Sequence, residues 1–145
     1  MITGIDHTAI SVPDMDAALA FYQELLGFEV ESDSAWPQGV EEIDRVVGLR
    51  NSAARVAMLR FGNSRVELFQ YEHPVPEVQD PQRAVNHHGY THFCLDVVDI
   101  EKEYQRLADA GMQFNSAPVN LGTSIAVYGR DPFGNVIELK EELPR

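Results

Sequence analysis

His7, Glu67, His92 and Glu138 are the residues of this 145-residue chain whose types and spacing suggest chemistry. Each carboxylate interrupts an apolar run, Glu67 between Val66 and Leu68 and Glu138 between Ile137 and Leu139. Side chains alternate faces along a strand, so each carboxylate stands on the face its neighbours leave, where burial is costly without a partner or a cation. Imidazole with carboxylate suits one divalent ion of the Zn, Ni, Co, Fe or Mn kind better than Ca or Mg, and differs from a thiolate set. The residue types do not choose among those ions. A lone histidine or glutamate on a strand is more often structural, and the weight here comes from all four recurring together.

They recur because the chain repeats itself. With His7 set over His92, HTAISVPDMDAALAFYQELLGFEV and HFCLDVVDIEKEYQRLADAGMQF run in step, each placing an Asp (Asp14, Asp99) seven residues on. Met15, Ala18, Leu19, Tyr22 and Leu26 have helical spacing, as do Ile100, Tyr104, Leu107 and Ala108. The Asp before each stripe is placed as an N-cap, and Gly27 or Gly111 is placed to end it. Phe61-Gly62-Asn63 then leads into Arg65-Val66-Glu67-Leu68, and Phe133-Gly134-Asn135 into Val136-Ile137-Glu138-Leu139, with Gly-Asn as a hairpin signal. The pattern predicts an α+β fold of two βαβββ half-modules, 1–72 and 89–145. An insert at 36–52 carries one short helix ending at Gly48, and a surface linker at 73–88 is marked by Pro74, Pro76 and Pro81.

Composition narrows the function classes. With 44% hydrophobic residues the chain can bury a core, and a net charge of −12 opposes nucleic acid and anionic membranes. No apolar run approaches a membrane span, the opening MITGIDHTAISV lacks the pattern of a secretion signal, and Cys94 is the single cysteine, which together predict a cytoplasmic protein. An anionic small substrate would need a local counter-charge, for which Arg45, Arg50, Arg60 and Arg130 are candidates.

The segments IDHTAISVPDMDAALAFYQELLGFEV, VELFQY, GYTHFCLDVVDIEKEYQRLADAG and GRDPFGNVIELKE resemble the vicinal oxygen chelate superfamily, which includes glyoxalase I, methylmalonyl-CoA epimerase, extradiol dioxygenases and bleomycin-sequestering proteins. The resemblance spans all but the linker and the insert, and is nearest to glyoxalase I and methylmalonyl-CoA epimerase-like members. It implies two modules whose strands curl into a partly open, barrel-like sheet around a metal cleft, with His7, Glu67, His92 and Glu138 at the ligand positions. It also implies a homodimer, with the metal site held within one chain or shared between two.

Four protein ligands on a six-coordinate ion leave two positions, enough for vicinal oxygens of a small organic substrate. Lewis-acid polarisation of a carbonyl, with Glu67 and Glu138 moving a proton on either side, is isomerase or lyase chemistry of the glyoxalase or epimerase kind. An extradiol ring-cleaving dioxygenase would use His7, His92 and Glu138 and leave Glu67 unused. A non-catalytic sequestering protein is the third reading. Phe69, Tyr71, Tyr90, Arg60 and Tyr128 are candidates for the substrate pocket, Trp36 is a conceivable lid residue, and Cys94 reads as a small buried thiol. His87 and His88, at the end of the linker, form a decoy pair that should face water.

Overall fold

A computed structural model describes residues 1–144, and residue 145 of the expected second module lies outside the described residues. Two compact units are present, Met1–Val78 and Gln79–Arg145, so the Pro-bearing stretch is divided between them. Each is an α+β layer of helix on open sheet, and neither sheet closes into a barrel. Among the described residues no helix is long and apolar enough to cross a membrane.

The first unit runs β1 (Thr8–Ser11), α1 (Met15–Leu19) continuing as a π-helical turn over Ala20–Leu25, β2 (Glu29–Trp36), α2 (Glu41–Val47), β3 (Ala53–Phe61) and β4 (Ser64–His73). Its strands are ordered β1-β4-β3-β2, with β1 parallel to β4 and the rest antiparallel. Asp14 caps α1 as its position predicts, its Oδ1 accepting the Ala17 N–H at 3.0 Å. Gly27, at φ 84°, ends the helical segment in a conformation open to glycine. Met15, Ala18 and Tyr22 bury their stripe with Leu59 and Leu68 of the sheet. Those two strand residues alternate with Met58 and Glu67, which therefore face the other way. The helix expected in the insert is α2, closed by Gly48 in the left-handed region.

The second unit runs β5 (His92–Asp96), α3 (Ile100–Asp109), β6 (Gln113–Phe114), β7 (Val119–Asn120), β8 (Ser124–Arg130) and β9 (Val136–Glu142). Its order, β5-β9-β8-β6 with β7 also on β8, repeats the first unit's topology, and β5 is parallel to β9 as β1 is to β4. Ile100 and Leu107 of α3 are buried, as are Ile137 and Leu139 of β9. Asp131 is 5% exposed and closes the turn before β9, accepting the N–H groups of Phe133 (2.9 Å) and Asn135 (2.8 Å) and the Asn135 amide (2.7 Å).

One cap differs from expectation. Asp99 sits at φ 61° and makes no side-chain cap; the Ile100 N–H is taken by Glu141 Oε2 of β9 at 2.8 Å. The first unit has the counterpart, for the Met15 N–H donates to Gln70 Oε1 of β4 at 2.6 Å. Gln70 lies three residues after Glu67, and Glu141 three after Glu138. In both units the strand that carries the candidate carboxylate also receives the first N–H of the helix behind it, one of the groups a helix leaves unpaired.

Candidate functional site

Register places the four candidate ligands identically in the two units. Glu67 is paired with Ala9, two residues after His7, and Glu138 with Cys94, two residues after His92. Each histidine therefore leans toward the carboxylate of the neighbouring parallel strand. His7 Nε2 stands 3.1 Å from Glu67 Oε2, and His92 Nε2 stands 3.2 Å from Glu138 Oε2.

In the first unit His7 Nδ1 lies 2.9 Å from Asp6 Oδ2. The hydrogen bond from His7 holds the Asp6 carboxyl below its ordinary value of 3.8, with Arg65 adding to the shift, so it is an ionised acceptor and Nδ1 carries the proton. With Nδ1 so engaged, Nε2 is the ring nitrogen turned to a carboxylate 3.1 Å away. A nitrogen and a carboxylate oxygen so placed can share a ring proton or hold a metal ion between them. Donors about 2.1 Å from one ion stand about 3.0 Å apart at a right angle and about 3.4 Å apart at a tetrahedral one. Both pairs fit that span. A carboxylate on the far ring nitrogen is also the usual support of a metal-bound histidine.

The second unit keeps the geometry with different partners. Thr91 Oγ1 is 2.8 Å from His92 Nδ1, the Tyr128 hydroxyl is 3.3 Å from His92 Nε2, and the two rings lie 4.6 Å apart. Local desolvation, then the charge of Glu138, raises the Tyr128 phenol above its ordinary value, so it is a neutral donor beside the pair. Desolvation and Glu138 likewise push the Cys94 thiol up to about 11. Cys94 is exposed, which corrects the expectation of a buried thiol; the register makes it the counterpart of Ala9 beside the carboxylate. Among the described residues no set of three or more His, Cys, Asp or Glu donors is arranged to hold an ion, so each unit by itself presents two donors.

Residues 4–139 match the model of the Glyoxalase/Bleomycin resistance protein/Dioxygenase superfamily. The chain belongs to that superfamily. A 2-epi-5-epi-valiolone epimerase of Actinomyces is 31% identical over 144 residues, covering 93% of this chain and 77% of the relative. An ethylmalonyl-CoA/methylmalonyl-CoA epimerase of Cereibacter sphaeroides is 30% identical over 149 residues, covering 97% and 99%. A glyoxalase family protein from Bacillus cereus superposes with a TM-score of 0.89 at 28% identity, covering 99% of this chain and 97% of the other.

The remaining candidates fall into place on this glyoxalase-superfamily scaffold. Phe69 and Tyr71 share the face of Glu67 and stack at 5.6 Å, and Trp36, the last residue of β2, sets its edge against both at 6.1 Å. Desolvation, then Glu67, raises the Tyr71 phenol. Trp36 belongs to a wall, because its Nε1–H donates to Ser52 Oγ at 3.1 Å and the buried Ser52 donates to Asp44 at 2.6 Å. Arg60 is held by Glu29 (3.1 Å) and Glu31 (3.0 Å), which leaves it no free charge for a substrate. Tyr90 is fully exposed ahead of β5, and Arg45 and Arg50, in and after α2, are exposed. His87 and His88 face solvent as expected. Sequence reading missed Asp6 and Thr91. The repeat held the signal, since each immediately precedes its histidine.

Proposed function

We propose that this superfamily member is a divalent-metal-dependent enzyme that chelates vicinal oxygens of a small organic substrate and shifts a proton, in the manner of a glyoxalase or an epimerase. The observation that carries the reading is the His–Glu pair set at the same register position in both units, at 3.1 and 3.2 Å. The two pairs are taken as halves of one centre, formed by one chain or by two copies in a homodimer. The epimerases among its relatives support the proton-shift class.

His7 and His92 would hold the ion through Nε2, with Glu67 and Glu138 completing the set. When bound, the ion supplies Lewis-acid polarisation of a substrate carbonyl, which acidifies the neighbouring C–H. Glu67 and Glu138 then serve as acceptor and donor of that proton. Asp6 and Thr91 orient the two imidazoles from behind. The Tyr71 and Tyr128 phenols, both kept protonated, offer neutral donors on the Glu67 and Glu138 faces.

The test is metal content per chain, followed by parallel assays of solvent-deuterium exchange at the α-carbon of thioesters and hemithioacetals and of oxygen uptake with catechols. Exchange without oxygen uptake supports the reading. Oxygen uptake assigns the protein to ring cleavage, and tight ligand binding with neither assigns it to sequestration. Glu67→Ala should abolish exchange; a fully active variant removes Glu67 from the mechanism. Mixing His7→Ala with His92→Ala protein restores activity only if the centre is shared between copies.

A further inference from the structure

The arginines whose side chains are bonded among the described residues divide into two groups, while Arg45 and Arg50 are exposed. Arg55 pairs with Asp33 and Asp16, Arg60 with Glu29 and Glu31, Arg65 with Asp6 and Glu31, and Arg106 with Glu103. Arg83 and Arg130 make no such pair among the described residues and bond only to backbone carbonyls. Arg83 donates to the carbonyls of His88 (2.8 Å), His87 and Tyr90 (3.4 Å each), and Arg130 to those of Gly134 (2.7 Å) and Arg83 (2.9 Å). Carbonyls satisfy hydrogen-bond donors without cancelling charge. The neighbouring carboxylate, Asp131, is turned into its own loop, where it accepts three N–H groups.

Both half-buried guanidinium groups line one cleft of the second unit, together with Gln79, Tyr90, Thr91 and Asn135. Among the described residues the lining contains no carboxylate. Two like charges are thus gathered, with no carboxylate paired to either among the described residues, beside a cleft of a chain whose net charge is −12. Guanidinium donors match the paired oxygens of a carboxylate or phosphate, and the bonds above use only Nη groups, leaving each Nε–H for a further acceptor. The cleft has a cavity volume of about 50 Å³, room for a small ionic group and not for a whole large molecule.

We infer that Arg83 and Arg130 form an oxyanion-binding site for a carboxylate or phosphate group. The site sits one hydrogen bond from the candidate metal pair, since Thr91 both lines the cleft and contacts His92 Nδ1. The anion is either a free ion or the ionic end of the substrate, and the inference does not require the metal reading.

Inorganic phosphate is titrated into metal-free protein, following the melting temperature and the Arg Nε–H NMR signals, with sodium chloride at matched ionic strength as control. The site predicts stabilisation beyond the chloride control, shifts confined to Arg83 and Arg130, and at least a tenfold loss of phosphate affinity in Arg83→Gln. Arg106→Gln should bind phosphate like the parent. Arg83 lies in the linker, so its variant decides the matter even if Arg130→Gln fails to fold. No response beyond chloride, or an undiminished response in Arg83→Gln, overturns the inference. Once a substrate is found, an apparent KM that rises with phosphate marks the site as the seat of the substrate's own ionic group. An unchanged KM marks it as the site of a free anion.

Discussion

Asp6 gives the most direct test of how the first pair is prepared for a cation. In Asp6→Ala the His7 ring keeps its place before β1 but loses the acceptor at 2.9 Å that fixes the proton on Nδ1. Outer partners of this kind are typically worth about 10- to 100-fold in metal affinity. The Asp6 side chain is 69% exposed, so water can replace part of the lost bond and the effect should fall at the lower end. The expectation is roughly a tenfold weaker Zn²⁺ complex. Competition with a chromophoric chelator on metal-free protein measures it. Arg65→Ala separates the two roles of Asp6, because it removes the 3.2 Å contact between Arg65 and Asp6 and leaves the His7 bond in place. Its affinity should change little. Equal affinities for parent and Asp6→Ala, with melting curves unchanged, would refute the view that Asp6 readies His7 as a ligand.

Three further outcomes follow from local geometry. Gly134→Ala should destabilise by about 3 kcal/mol in a denaturant titration, since non-glycine strain at positive φ and overpacking each cost about 1–3 kcal/mol; the residue sits at φ 92°, and its new Cβ would lie 2.4 Å from the Pro81 backbone. Glu141→Ala should lower stability by about 1 kcal/mol, the scale of a lost helix cap, because the Ile100 N–H loses its acceptor. Asp44 titrates below its ordinary value of 3.8, held there first by the Ser52 hydroxyl and then by the Ser52 N–H. A depressed carboxyl contributes stability above 3.8 that is lost as pH falls through its lower folded value, so the emission of Trp36, the single tryptophan, should shift below pH 3.8. In Asp44→Asn that acid-dependent component should be absent.

The fold was legible wherever one local signal could stand alone. Apolar spacing from Met15 to Tyr22, the cap at Asp14, the positive-φ stop at Gly27 and the return of the whole series after His92 all lie within a few residues of one another. What escaped depends on partners far apart in sequence. Asp99 looks like Asp14, yet its backbone enters the left-handed region and the cap comes from Glu141, 41 residues away. Trp36 reads as part of an insert, but Ser52, 16 residues on, aims its indole back along the sheet. Arg83 stands in a stretch without periodicity, where bonds from a side chain to loop carbonyls leave no repeating trace. The four candidate ligands were readable as types and positions; the hydroxyl or carboxylate behind each imidazole belongs to the placing of the rings.

The helix-start acceptor three residues beyond each candidate carboxylate works as an indexing mark. Positions three apart on a strand project to opposite sides, so Glu67 and Gln70, like Glu138 and Glu141, engage two different layers from a single segment. Were β4 or β9 to slide by one position, the carboxylate would turn into the apolar layer as the helix lost its anchor, and both penalties would fall at once. Misregistered intermediates are thereby made costly, and the duplicated unit carries its own proofreading of where its acidic side chain ends up.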